Sequence, residues 1–236
     1  MSGIDIEVLS TTAMKTSFEE LSPQFERATG NRLIVDFGPS LQLEKRLGEG
    51  EAADLAIVSA AGARDLIATG KAVAGSDIEV ARSGLGVAVQ RGAPKPDIST
   101  AEAFKRAFLA AKSIAVSKPV GGGQSGVHMA KVFAQLGITE AMAAKSKYGG
   151  GGPAGLIGLI IQRGEAEIGV QQLAELMAVP GIDIVGPLPP ELQSITPFVA
   201  TIPTSASQAA AARAVIDYLR TPEAKRVFKA RGLEPA

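Results

Sequence analysis

The 236-residue chain contains no cysteine and no tryptophan. Without cysteine there is no disulfide framework, no thiolate metal site and no cysteine nucleophile, and the redox compartment stays open. Aromatic residues are scarce, eight Phe and two Tyr, which removes most of the stacking platforms that single-strand binders use. Charge of one sign is missing too. Lys+Arg and Asp+Glu number 24 each, so no basic excess drives counterion release, and nucleic acid is not expected as a partner. His128 is the single histidine, which excludes the usual His/Cys zinc sets. The carboxylates Glu44, Asp54, Glu165 and Glu167 lack metal spacing. No metal or other cofactor is expected. No window approaches the ~18 uninterrupted apolar residues of a membrane span, so no direct membrane insertion is expected. The opening MSGIDIEVLS has neither a basic n-region nor an apolar h-region. The expected location is cytoplasmic for the chain as given, or periplasmic if a signal has been removed.

What is present is a large apolar fraction, 46% against 20% charged, enough for one large or two ordinary domains. Strand and helix alternate in the first third. Ile4 to Leu9 reads as a strand and Ala13 to Thr29 as a helix with Met14, Phe18, Leu21 and Phe25 at helical spacing. Leu33 to Phe37 and Leu55 to Val58 are further strands, Ser40 to Gly48 and Gly62 to Thr69 further helices. The rhythm breaks at Val80 to Val89. A second series comes after it, with helices at Thr100 to Ala111, Val127 to Leu136 and Ala154 to Arg163 and strands at Ser113 to Val116 and Glu167 to Val170. Ile184 to Val185 and Phe198 to Ile202 look like strands crossing back. Ala206 to Arg220 and Thr221 to Arg231 read as closing helices, Thr221-Pro222-Glu223 supplying a cap and a first-turn proline. The alternation implies an α/β fold with a parallel sheet. Two domains are expected, residues 1–82 plus 196–236 and residues 83–195. No exposed apolar helix face is marked, so a monomer is expected.

Four short turns stand where a strand runs into a helix: Ser10-Thr11-Thr12-Ala13, Gly38-Pro39-Ser40, GGGQSG from Gly121 to Gly126, and GGGGP from Gly149 to Pro153. A helix start offers unpaired N–H groups and the positive end of the macrodipole, so several such starts make a small-anion site without a fixed cation. Ser10, Thr11 and Thr12 read either as ligand hydroxyls or as caps for the following helix, and Ser40 likewise as ligand hydroxyl or N-cap. GGGQSG is neither a Walker A loop nor a dinucleotide fingerprint. His128, one turn into the next helix, is either a ligand or proton-exchanging group or an ordinary packed residue. Lys118 is a counter-charge or a solvated lysine. Gln171-Gln172 follow the strand at Val170, and an amide that donates and accepts suits recognition. Arg82 stands as a carboxylate partner or a bridge between domains. Asp54 is expected to satisfy backbone donors at the start of its strand. No nucleophile elbow is present.

These residues resemble the type II periplasmic binding proteins, and within them the molybdate-binding-protein-like branch. The likeness rests on Val8 to Met14, VDFGPSLQLEKRL around Ser40, GEGEAADLAIVSA from Gly48 to Ala60, QSGVHMAKVFAQLGI from Gln124 to Ile138, RGEAEIGVQQ ending at Gln172, and DYLRTPEAKRVFKARGLEP. The resemblance implies two α/β domains joined by a two-crossing hinge, which closes over a ligand in the cleft. It implies a small anionic ligand and an ABC transporter permease as partner. The family's first-turn hydroxyl falls near Ala13, so Thr11 and Thr12 would supply it. Its second-turn serine matches Ser40, and its third helix start matches Ser125, next to Gly126. Where molybdate binders often carry tyrosine this chain has Gln172. Some proteins of similar architecture are enzymes, aconitate isomerase among them, so a proton-transfer isomerase is the alternative, with His128 as its base.

Overall fold

Ile6 and Val8 alternate with Asp5 and Glu7, and Asp5–Thr11 forms strand β1 with the apolar pair buried. The structure is a computed structural model and describes residues 3–149 and 152–236. Gly150 and Gly151, inside the expected GGGGP turn, lie outside the described residues. After β1 a 3-10 turn, Thr12–Met14, leads into α1, Lys15–Thr29, which buries Phe18, Leu21 and Phe25 and stops at left-handed Gly30. Next come β2 (Arg32–Gly38), α2 (Ser40–Gly48), β3 (Leu55–Ser59), α3 (Ala60–Ala68) and the long β4 (Ile78–Gln90). The second series is α4 (Ala101–Ala110), β5 (Ile114–Ser117), α5 (Gln124–Gln135), α6 (Thr139–Ala143), β6 (Ser146–Gly149), α7 (Ile157–Gln162), β7 (Ile168–Gln172), α8 (Leu173–Met177) and β8 (Ile182–Pro187). The chain closes with β9 (Ile195–Thr201), α9 (Ala209–Leu219), α10 (Pro222–Ala230) and β10 (Glu234–Pro235).

Two units result: Met1–Ser83 with Thr196–Ala236, and Gly84–Ile195. The chain leaves the first unit inside β4 and returns to it at the start of β9. In unit 1, β1 pairs in parallel with both β2 and β3, while β9 runs antiparallel to β3. Its core gathers Leu9, Leu43, Leu47, Val58, Leu66 and Val199. In unit 2, β5 pairs in parallel with β6 and β7, and β4 runs antiparallel to β7 and β8. The expected parallel sheet is therefore mixed. The crossing strands β4 and β9 run against their neighbours, whereas β1, β2 and β3 in one unit and β5, β6 and β7 in the other run parallel.

Unit 2 buries both faces of its sheet, and strand alternation decides which residue serves which face. Ile114, Val116, Ile168 and Val170 pack with Phe104 and Phe108, while Ala115, between the first two, packs with Ile157, Ile161 and Leu176. The helix expected at Ala154 to Arg163 is split, with a 3-10 turn at Pro153–Gly155 and α7 beginning only at Ile157. Proline at the first position and a left-handed glycine before it favour a tight turn there.

Candidate functional site

In unit 1 the strand register places three helix starts side by side. Thr11 pairs with Gly38, and Ser10 pairs with Ile57, two residues before Ser59. The turns at Thr11–Thr12, Gly38–Ser40 and Ser59 therefore share the carboxyl edge of one parallel sheet, where ligands of such sheets bind. Thr11, Thr12, Ser40 and Ser59 are all buried.

Of the two readings of these hydroxyls, ligand group or helix cap, the cap fails at two points. Thr11 is the N-cap of the 3-10 turn but its side chain makes no cap bond, and Ser10 Oγ donates instead to the Thr11 carbonyl at 3.4 Å. Ser40 is not the N-cap of α2. Pro39 holds that place with extended backbone, and Ser40 is the first helical residue. Thr12 Oγ1 and, one turn further on, Ser17 Oγ are buried without a hydrogen-bond partner among the described residues. Each such orphan costs about 1–3 kcal/mol, so the arrangement favours an incoming acceptor or donor.

The third start is occupied by the protein itself. Ser59 caps α3, its Oγ accepting from the Gly62 amide at 3.1 Å, and it donates that Oγ–H to Glu44 Oε1 at 2.7 Å. The Ser59 amide donates to the same carboxylate oxygen at 3.3 Å. A Cβ on Gly62 would overlap the Glu44 carboxylate, so glycine is what lets α2 lay this side chain over α3. Burial pushes the Glu44 carboxyl up, the Ser59 bonds work against that, and Asp65 adds to the rise. Sequence reading missed the pair, although Ser59-x-x-Gly62 before a helix was a signal for it.

Asp54 accepts from backbone donors as expected, but three of its four bonds come from far along the chain. Oδ2 accepts from the Glu7 amide at 3.0 Å, and Oδ1 from the amides of Ser207 and Gln208 and the Ser207 hydroxyl. Burial works to raise its pKa, but those bonds together outweigh it and hold the carboxyl below its ordinary value. Arg82 is exposed and pairs with Glu79 three residues before it.

In unit 2, Val116 pairs with Val170 and Ser117 with Gly149, so Ser117, Gly149 and Gln171–Gln172 end on one edge. Ser125 and Gly126 open α5, which has no side-chain cap. Ser125 Oγ donates to Ser117 Oγ at 3.0 Å. The glycine cluster has a steric cause. Gly121 is left-handed, and a Cβ at Gly122 or Gly126 would overlap the Lys118 carbonyl. His128 is half-buried, with Nε2 2.7 Å from the Leu192 carbonyl oxygen. A carbonyl oxygen only accepts, so Nε2 carries the proton of that bond.

Gln171 and Gln172 part company. Gln171 Oε1 accepts from the Ile157 amide at 2.8 Å and fills the start of α7, so it does not face a ligand. Gln172, also buried, points to the opposite face of β7 by strand alternation. The GGGGP helix start is thus capped from within. Next to Gln171, burial pushes the Glu175 carboxyl up to about 7, and its bond from Gln171 works the other way.

Cations are sparse at these turns. Lys15 pairs with Glu19 and Lys118 is exposed. Among the described residues no cluster of His, Cys, Asp or Glu is arranged to hold a metal ion, and no helix is long and apolar enough to cross a membrane. A cavity beside Ser117 and Gly126 holds about 80 Å³, well short of the ~300 Å³ at which organic-ligand pockets begin.

The model of the family "Bacterial extracellular solute-binding protein" matches residues 6–234. The chain belongs to this family. It is 34% identical over 236 residues to an aconitate isomerase of a Pseudomonas species, covering 98% of this chain and 87% of that protein. Among solved structures, the periplasmic molybdate-binding protein of Azotobacter vinelandii superposes with a TM-score of 0.79 at 21% identity, covering 97% of this chain and 98% of that one. The sulfate-binding protein SubI of Mycobacterium tuberculosis gives 0.77 at 16% identity, covering 99% and 87%. The fold of this solute-binding family member is the type II periplasmic binding architecture of two α/β domains.

Proposed function

We propose that this protein captures a small anion, with Thr11, Thr12 and Ser40 of one unit and Ser125, Gly126, His128 and Gln172 of the other converging on it as the two units close. The observation that carries the reading is the row of adjacent helix starts in unit 1, where buried hydroxyls stand at Thr11, Thr12 and Ser40 and Thr12 Oγ1 lacks a partner among the described residues. Neutral N–H and O–H donors hold a desolvated anion because the low local dielectric strengthens each bond. Contacts from both units favour the closed form, and that differential contact is what drives closure. In the periplasm the closed, monomeric form would be handed to an ABC transporter permease.

A second reading, an isomerase of a polycarboxylate, is favoured by the 34% identity to an aconitate isomerase along almost the whole chain. Helix starts that hold an anion also stabilise a developing enolate.

A thermal-shift panel separates the two readings. Molybdate, tungstate, sulfate and phosphate are compared with citrate and the two aconitates. A ligand at 100 times its Kd adds about 2.7 kcal/mol, and each kcal/mol raises Tm by about 2–4 °C in a chain of this size. A shift with either group supports anion capture, and no shift with any of them overturns it. Interconversion of the aconitates in the same samples selects the isomerase.

A further inference from the structure

We propose that Glu44 is the base that carries the proton in the isomerase reading, on which this inference rests. The carboxylate is built into the site. Its Oε1 is anchored by the Ser59 hydroxyl at 2.7 Å and the Ser59 amide at 3.3 Å, while among the described residues no hydrogen bond or ion pair is made by Oε2. It lies one helical turn after Ser40 on α2, and residues four apart share a helix face. Ser59, its anchor, ends β3 on the edge that also carries Thr11 and Gly38.

The charged groups around it leave the carboxylate uncompensated. From α3, Asp65 adds a like charge. On α2 itself, Lys45 pairs with Glu49, and Arg46 with Asp36 and Glu51. The neighbours from β3 and the start of α3, Ser59 and Gly62, are neutral. Burial raises the carboxyl from its ordinary value, in the direction that makes a carboxylate a better base near neutral pH. The other candidate base, His128, is tied to the Leu192 carbonyl through Nε2 and would have to act through Nδ1.

The step balances without any redox partner. Glu44 Oε2 takes a proton from the allylic methylene of a tricarboxylate such as aconitate. The C–H bond breaks, an O–H bond forms, and the electron pair spreads into the neighbouring alkene and carboxylate as a dienolate. Donors of Thr12 and Ser40 meet the charge that develops. The carboxylic acid then returns its proton to the far carbon of the three-carbon unit, and the double bond has moved by one position.

The test measures aconitate interconversion from pH 5 to 8 by the wild type and by Glu44→Gln, together with deuterium uptake into substrate in D2O. Glutamine keeps Oε1 as the acceptor for Ser59, and matched melting curves verify the fold. The expected result is a loss of about 10²–10⁴-fold in kcat with KM changed little. The deuterium uptake is lost in the variant, and wild-type kcat/KM rises with pH through one ionisation. A wild type that interconverts the isomers and a variant within threefold of it would overturn the role of Glu44 and leave the isomerase reading standing. A wild type that binds aconitate without converting it overturns the isomerase reading and this role with it.

Discussion

The two units tie their loops down with different chemistry. Unit 1 uses carboxylates: Asp54 joins β1 to the segment before α9, and Glu44 joins α2 to the start of α3. Unit 2 keeps its carboxylate ties at the exposed surface, Asp183 to the Gly92 amide, Glu191 to the Ala101 amide and Glu167 to the Lys112 amide, and ties its more buried loops with side-chain amides. Gln171 caps α7, and Gln193 accepts from the Leu85 amide and donates to the Leu85 carbonyl. Charged acceptors form stronger hydrogen bonds, but they depend on pH and must be desolvated. Amides give weaker bonds that do not titrate. Unit 1 therefore depends on pH through its buried ties, and the interior of unit 2 through the misfit Glu175.

The largest effect is expected from Asp54→Ala, which leaves the amides of Glu7, Ser207 and Gln208 without their acceptor. A loss of about 3–5 kcal/mol at pH 7 should appear in urea unfolding. Because the folded Asp54 pKa is lowered, its contribution is present above the ordinary carboxylate value and disappears as pH falls through the folded value. The variant should lose that acid dependence, and a variant as stable as wild type would break the contrast between the units.

Glu175→Gln is expected next, with the opposite sign. The folded pKa of about 7 lies above the ordinary 4.5, so wild-type stability should fall as pH rises from about 4.5 to about 7. The variant should gain about 1–3 kcal/mol at pH 8 and nothing at pH 4. Identical stability curves for the two proteins would remove the misfit from unit 2.

Gln171→Ala uncaps α7, at a cost of about 1–2 kcal/mol that is independent of pH between 4 and 8. Faster hydrogen exchange at the Ile157 amide would locate the change. Smallest is Thr12→Val, which deletes an unpartnered buried hydroxyl at equal volume. The ligand-free protein should gain up to about 1 kcal/mol while anion binding weakens. Unchanged binding would remove Thr12 from the site.

Local signals were legible where one element settles the matter. The bounds of α2 follow from Ser40 and Gly48, and Thr221 caps α10 as its Thr-Pro-Glu sequence implies. The elements α6, β6 and α8 were missed because four or five residues carry no measurable period. Long-range choices were hidden for a different reason. Asp54 was expected to meet donors near its own strand, but three of its four bonds come from Ser207 and Gln208, which no local pattern connects to it. Neighbouring glutamines had to face opposite sides of β7, but only α7 decides that Gln171 is the capping one. Ser40 reads as either a ligand hydroxyl or an N-cap, and the cap reading fails because Pro39 supplies the extended backbone that position needs.

The path of β4 and β9 also bears on the order in which the molecule is made. Unit 2 is one continuous stretch, Gly84–Ile195, and all its own partners have emerged when synthesis reaches β9. Unit 1 is begun first and finished last. Asp54 waits 153 residues for Ser207, and β3 has no β9 beside it until all of unit 2 has emerged. During translation the second unit can therefore be folded while the sheet of the first still has an open edge, the stage at which a chain is most exposed to aggregation or to a chaperone.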